Sequence, residues 1–415
     1  MKKKTVVIID PYLTGMKIAE RFRQKGVSCI AVINWKNVPQ FAKITFREEQ
    51  FEKIIVFNND IEKLIEELNN CKIEAVFPGT EAGVELAEIL RGRLGINSND
   101  SSTSNLRRNK FEMHEALRSK GLPVPLQKPV HSVFDLEKWI DRNEHEITWP
   151  LVLKPMDSAG TDGLKFCNSK AESLEYVVKL QGRENLLGKK NEFVLAQSFL
   201  DGVEYVVNTV SSFGKHRVSD IWRYHKKRVV GAGMIYDKQE LLPFHGRVQE
   251  ILIEYIFSSL DAIGVVHGPA HAEVMMTGSG PRLIEIASRI QGGINPSMLN
   301  ACLGANQLDL AIDTALNPES FESMTWPGGY LKRHGNWINL ICHKDGVAHE
   351  LDIFSQKIRE LKSYFSHNFS ITEGMATQKT VNLFSSPGVV FLVHENPDII
   401  LEDYHFLRKL EEEFL

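Results

Sequence analysis

The stretch from His271 to Gly293, HAEVMMTGSGPRLIEIASRIQGG, constrains the fold more than any other part of this chain. AHAEVMM and RLIEIA alternate apolar and polar residues, the period of a half-buried strand, and TGSGP between them carries turn signals. The segment therefore reads as an antiparallel hairpin. With the turn centred on Ser279, Glu273 and Glu285 fall opposite each other on one face, roughly 4.5–5.5 Å apart at Cβ, where like charges destabilise the ladder unless a cation lies between them. Mg²⁺ typically takes one or two carboxylates plus substrate phosphates. Arg289 follows four residues after Glu285, and Gly292-Gly293 let a backbone approach a ligand closely. The pattern predicts a metal–phosphate site, although two acids on a solvated hairpin face would explain the segment taken alone.

At 415 residues the chain is too long for one ordinary core and predicts two to four units. Apolar content of 43% and charged content of 25% fit a globular protein, and a net charge of −4 gives no basic excess for nucleic acid. MKKKTVVIID has a basic start, but its apolar run is shorter than the roughly 7–15 residues of a signal peptide, and no run approaches the about 20 of a membrane span. Cys29, Cys71, Cys167, Cys302 and Cys342 show no CxxC or metal spacing and predict free thiols in a cytoplasmic protein.

TVVII at 5–9, a helical pattern at 15–25 and SCIAVIN at 28–34 open a βαβ unit with a parallel sheet. The turn after the first strand is DPYLTG, without GxGxxG, so nicotinamide chemistry is not indicated. IEKLIEEL at 61–68 reads as a helix, EAVFPG at 74–79 as a strand and 81–95 as another helix. Ligands of such sheets sit beyond the carboxyl ends of the strands, which places Asp10, Thr14, Thr80 and Glu81 near a pocket. The polar NSNDSSTSN at 97–105 ends this unit.

Arg107-Arg108-Asn109-Lys110 opens a helix reaching to about Lys120, and basic residues at a helix start oppose the dipole unless an anion compensates. Within TWPLVLKPMDSAGTDGLKFC a strand ends on Lys154, and Met156 to Gly163 form a flexible loop whose amides can wrap phosphate; no Gly-Lys-Ser/Thr follows, so it is not a Walker A loop. FVLAQ at 193–197 and EYVVNTV at 204–210 read as strands joined by SFLDG, and 248–263 and 306–317 as helices. From residue 326 the chain reads as a small α+β unit with strands YLKRH, NWINLI and GVVFLVH and a closing helix. His343, His349, His367, His394 and His405 read there as surface or core residues.

Lys110, Lys154 with its glycine-rich loop, Gln197-SFLDG-Glu204, then Glu273, Glu285 and Arg289 follow the order of the ATP-grasp superfamily. EAVFPGTEAGVELAEIL with RRNKFEMHEALRSKGLPVP resembles its carboxylate–amine ligases, and HAEVMMTGSGPRLIEIASRIQGG is similar to the dipeptide-forming L-amino-acid ligases. The resemblance implies an α/β and α+β multidomain fold: a Rossmann-like N-terminal domain at 1–105, an ATP-grasp domain at 106–325 with a lid at about 148–200, and a C-terminal α+β subdomain at 326–415. Lys110 and Lys154 would contact the phosphates of ATP, and the loop carrying Ser158, Gly160, Thr161 and Gly163 would fold over the γ-phosphate. Gln197, Ser198, Phe199 and Leu200 would line the adenine slot and Glu204 would hold the ribose. Glu273 and Glu285 would bind Mg²⁺ or Mn²⁺, and Arg289 would face the transferred phosphoryl group beside Gly292 and Gly293. Two departures matter: Gln197 stands where many relatives have Glu, and Ala287 where many have an Asn ligand.

The implied reaction is ADP-forming ligation of a carboxylate to an amine through an acyl phosphate, with amino acids as the simplest substrates. A second ligase reading passes the acyl group to a carrier protein, and a reading of another class is a nucleotide-binding protein without catalysis. His271 either orients a substrate carboxylate or is structural, and Asn295, Arg333 and His334 are further substrate candidates. Trp222 and Trp337 read as pocket wall or core. A homodimer is the implied assembly.

Overall fold

The computed structural model describes residues 4–158, 162–186, 188–229, 233–326 and 328–415. Four parallel strands, β1 (Lys4–Ile9), β2 (Ser28–Ile33), β3 (Lys53–Val56) and β4 (Lys72–Pro78), form an N-terminal sheet in the order β3-β2-β1-β4. The helix Thr14–Gln24 covers it because Ile18, Ala19 and Phe22 recur at helical spacing and are buried. β3 escapes a sequence reading: it is a four-residue edge strand burying only Ile55. The predicted helix at 81–95 begins as a 3₁₀ turn, Glu81–Gly83, and becomes α-helical at Val84–Arg93.

A second sheet is antiparallel, in the order β5-β8-β6-β7: β5 (Gln127–Val130), β6 (Leu151–Pro155), β7 (Lys165–Cys167) and β8 (Val194–Ser198). The helices Val133–Arg142 and Lys170–Leu180 pack on it, each capped by a serine hydroxyl, Ser132 and Ser169, that accepts from a first-turn amide.

The largest sheet has eight strands: β9 (Gly202–Ser212), β10 (Lys215–Val229), β11 (Gly233–Leu242), β12 (Gly268–Thr277), β13 (Gly280–Ala287), β14 (His334–Asn339), β16 (Tyr364–Phe369) and β18 (Gly388–His394). Their order is β13-β12-β9-β10-β11-β14-β18-β16; β15 (Gly346–Val347) and β17 (Ala376–Thr377) pair separately. The C-terminal strands therefore extend the sheet that carries the hairpin, through Lys238↔Ile338, Gln239↔Trp337 and Glu240↔Asn336. They also have their own core of Ile338, Leu340, Phe354, Val390, Leu407 and neighbours. YLKRH is not a strand; only from His334 does the chain enter β14. All five cysteines are free, four of them buried. Among the described residues no helix is long and apolar enough to cross a membrane.

Candidate active site

The hairpin reaches the expected pairing by an unexpected route. The turn is the two residues Gly278-Ser279, since Thr277 pairs with Gly280 and Val274 with Leu283. That register alone would set Glu273 against Ile284. A bulge between Glu273 and Val274 absorbs one residue of β13, so Glu273 faces Glu285 and His271 faces Ala287. The like charges are relieved by a lysine: Lys110 Nζ lies 2.6 Å from Glu285 Oε2. Burial pushes the Glu285 carboxyl up, but Lys110, with Lys154 and Arg289 behind it, overrides this and holds it at about 2. Glu273 Oε1 lies 3.3 Å from His271 Nε2.

Lys110 is fixed by the start of its helix. Asn109 caps the helix Lys110–Ser119, and the Lys110 amide donates to the Met156 carbonyl at 3.1 Å, tying the helix start to the end of β6. Its ammonium also donates to the Ser158 carbonyl at 2.8 Å. Lys154, on β6, is 5% exposed and donates to Gln197 Oε1 at 3.0 Å. Burial, with Lys110 nearby, pulls its ammonium down to about 8. The Gln197 amide points its nitrogen at His114 Nδ1, 3.2 Å away, while His114 Nε2 lies 3.1 Å from the Leu283 carbonyl. Burial, reinforced by Lys154, pushes this imidazole down to about 4, so it is neutral.

Of the loop after β6, Ser158 and Gly163 are described, whereas Gly160 and Thr161 lie outside the described residues. Gly163 has φ +63°, and a Cβ there would lie 2.9 Å from Leu180 Cδ1. Ser198 closes β8, and its Oγ accepts from the Leu126 amide at 3.1 Å. Phe199 is 36% exposed beside half-buried Leu200. Glu204 is buried with Oε2 2.7 Å from Lys226 Nζ, and its Oε1 is buried with no hydrogen-bond partner among the described residues.

Arg289 turns toward the N-terminal sheet, where its Nε donates to Glu81 Oε2 at 2.8 Å. Glu81 Oε1 takes Arg108. A small enclosed cavity lies among Glu81, Arg108, Lys110, Ser158, Glu285 and Arg289. All three basic residues border the cavity but are engaged differently: Arg108 pairs with Glu81 and Lys110 with Glu285, whereas the Arg107 guanidinium is held in a buried pair with Glu88 at 2.7 Å. Gly292 has open space where a Cβ would be, whereas a Cβ on Gly293, at φ +72°, would meet Trp337 Cη2 at 2.4 Å. The Gly293 amide donates to Thr14 Oγ1 at 3.3 Å. Asn295 caps the helix Pro296–Leu303, and its Nδ2 donates to Ser366 Oγ at 3.2 Å.

Two candidates stand apart from this cluster. The Arg333 side chain is 52% exposed and reaches toward Glu395 at 3.9 Å. His334 begins β14 opposite His394. The sequence offers both for binding an acid or shielding the intermediate; in the structure Arg333 immediately precedes β14 and His334 is its first residue.

Besides Trp222, several buried polar residues near the hairpin were not singled out from sequence. Asp220, Trp222, Tyr224 and Lys226 alternate along β10, a pattern that would mark one functional face were it not interrupted by bulges at Val218/Asp220 and His225/Lys226. Asn208 links Asp220 and Gln291 (2.8 Å to Gln291 Oε1) to His271, whose Nδ1 lies 2.8 Å from Asn208 Oδ1. Since the Asn208 NH₂ serves both of those acceptors, its oxygen accepts from His271 Nδ1–H.

Among the described residues no three His, Cys, Asp or Glu side chains gather into a protein-only metal cage. Two opposed carboxylates beside two lysines fit a hard divalent cation completed by phosphate oxygens.

Residues 107–293 match the model of the ATP-grasp domain. Dapdiamide A synthase of Enterobacter agglomerans is 30% identical over 99% of this chain and 97% of its own. The chain belongs to the ATP-grasp family. An L-arginine-specific L-amino acid ligase of Bacillus subtilis is 25% identical over 55% of this chain and 54% of its own. The crystal structure of an L-amino acid ligase from Bacillus licheniformis superimposes with a TM-score of 0.77 at 18% identity, covering 100% of this chain and 98% of that one. This ATP-grasp protein is an ATP-dependent, ADP-forming ligase that makes an amide bond.

Proposed function

We infer that this ATP-grasp ligase joins the carboxylate of an amino acid to the amine of a second small molecule, most simply another amino acid, through an acyl phosphate. The observation that carries the reading is the convergence of Lys110, Lys154 and Arg289 on the opposed Glu273 and Glu285. The relatives' printed activities support the substrate class: one is a dapdiamide synthase and two are amino acid ligases.

In this reading Lys110 and Lys154 hold the nucleotide phosphates, Gln197 to Leu200 face the base and Glu204 accepts from the ribose through its unpaired oxygen. Glu273 and Glu285 would hold Mg²⁺, which when bound neutralises charge on the phosphates. A substrate carboxylate oxygen attacks the γ-phosphorus and ADP departs; the amine then attacks the acyl carbonyl and phosphate departs. Positioning and charge stabilisation are what phosphoryl transfer requires, and lysines and an arginine supply both. Division at about residues 105 and 325, with a lid at 148–200, a cytoplasmic location and a homodimer belong to the same proposal.

The test is product analysis of the purified chain with ATP, Mg²⁺ and amino acid pools. ADP, phosphate and a condensed mass are expected. AMP and pyrophosphate would overturn the mechanism, and ADP formed only with a carrier protein would move the acceptor from a free amine to a carrier.

A further inference from the structure

Arg108 is 8% exposed and divided between two carboxylates from different sheets. Its Nη2 donates to Asp157 Oδ1 at 2.7 Å, and its Nη1 donates to Glu81 Oε1. Asp157 follows β6 in the four-stranded antiparallel sheet, where Lys189 holds its Oδ2 at 2.6 Å. Glu81 follows β4 in the parallel sheet and gives its second oxygen to Arg289 Nε at 2.8 Å. Asp157, Arg108, Glu81 and Arg289 thus form one unbroken line of charge-assisted hydrogen bonds, from the unit that carries Lys154 to the arginine beside the paired carboxylates.

The division of Arg108 is what leaves Glu81 Oε2 free for Arg289. A guanidinium facing a single carboxylate takes both oxygens in a fork. With Asp157 withdrawn, Arg108 has Glu81 alone, forks onto it and competes with Arg289 for Oε2. With Asp157 seated, Arg108 needs only Oε1, and Arg289 is held.

We propose that Arg108 is a positioning residue that couples the seating of the Asp157-bearing sheet to the aim of Arg289. Resting on the ligase reading, the consequence is that the carboxylate is phosphorylated only once that sheet is seated. An acyl phosphate formed in an open cleft would lose its phosphate to water and give ADP without amide.

Two measurements test the coupling on the full-length chain. The first is the ratio of ADP to amide formed with ATP, Mg²⁺ and a condensing pair of amino acids. Asp157→Asn, on a side chain 24% exposed, and Arg108→Lys, which keeps the charge but cannot fork, should each raise ADP per amide several-fold. Each should lower kcat while leaving KM for ATP within about twofold, and the double variant should be no worse than the worse single one, because both cut the same line. An unchanged ratio in Asp157→Asn, or losses that multiply, would overturn the proposal. The second measurement needs no turnover: hydrogen exchange at residues 79–83 and 288–293 should rise in Asp157→Asn, although that substitution lies in another sheet. Unaltered exchange there overturns the coupling whatever the activity. A wild-type chain that makes no amide from any pair would instead count against the ligase reading, leaving the exchange result to decide this one.

Discussion

Replacing Gln197 by Glu would put a counter-charge in direct contact with the buried Lys154 ammonium, whose nearest acids, Glu285 and Glu273, do not offset its burial and the repulsion from Lys110. Gln197 Oε1 already accepts from Lys154 Nζ at 3.0 Å, so the substitution changes charge at nearly constant shape. Burial, with repulsion from Lys110, lowers Lys154 from its ordinary 10.5 to about 8. At about 1.4 kcal/mol per pH unit, the folded state gives up on the order of 3 kcal/mol to keep that ammonium at neutral pH. The sign follows from proton counting. Between pH 8 and 10.5 the unfolded chain holds the proton and the folded chain has released it, so this group makes the wild type more stable as pH rises through that window. In Gln197→Glu the lysine keeps its proton and the rise should vanish.

Nucleotide binding should move the opposite way, because phosphate needs the charged lysine. At pH 9.5, above its lowered pKa of about 8, Lys154 is mostly deprotonated, so the wild-type KM for ATP should climb by roughly tenfold or more above its neutral value. Gln197→Glu should hold its KM over the same range. The assays are thermal unfolding at pH 7.5 and 9.5 and steady-state kinetics at the same two values, read as variant minus wild type so that other titrating groups cancel. Parallel pH profiles for the two proteins, in both stability and KM, would refute the reasoning.

Three further outcomes are expected. Glu285→Gln should abolish turnover while the melting temperature stays within a few degrees of wild type; near wild-type activity at limiting Mg²⁺ would remove Glu285 from the metal site. Glu88→Ala strands the Arg107 guanidinium, which is 0% exposed, and should lower unfolding stability by about 3–5 kcal/mol, read by denaturant titration; a loss under 1 kcal/mol would show that Arg107 finds water instead. Arg289→Ala should lower kcat by roughly 10²–10³, as other lost transition-state donors do, and a change confined to KM for ATP would reassign it to ground-state binding.

How far the site could be read from sequence depended on how local its determinants are. The acids of the hairpin were legible because strand alternation and the TGSGP turn both act within a few residues. The count that paired Glu273 with Glu285 nevertheless assumed a symmetric turn, whereas the structure uses a two-residue turn and a bulge whose effects cancel. Lys110 and Lys154 were legible as a helix start and a strand end. Arg108 could not be told from Arg107, since both occupy the same basic cluster and only the fold decides that one meets Glu88 and the other Glu81 and Asp157. The buried line from Asp220 through Asn208 to His271 ends on a strand 63 residues beyond Asn208, and the β10 bulges hide its period.

The continuity of the eight-stranded sheet bears on how ligases of this design can be recombined. The last 80 or so residues are not a cassette. β14 is laddered to β11, and the Trp337 indole fills the space beside Gly293, so a foreign C-terminal segment would have to reproduce both the register and the ring. Among the described residues the parallel sheet shares no ladder with the other sheets, so the stretch between Arg93 and Lys110 is the seam at which an exchanged part would leave those strands with their neighbours. A chimera cut there must still preserve the core that Ile8, Phe22 and Phe77 share with Ile290, Met298 and Leu310, the Arg21–Asp309 pair, and the contacts of Glu81 and Glu88 with the arginines that follow.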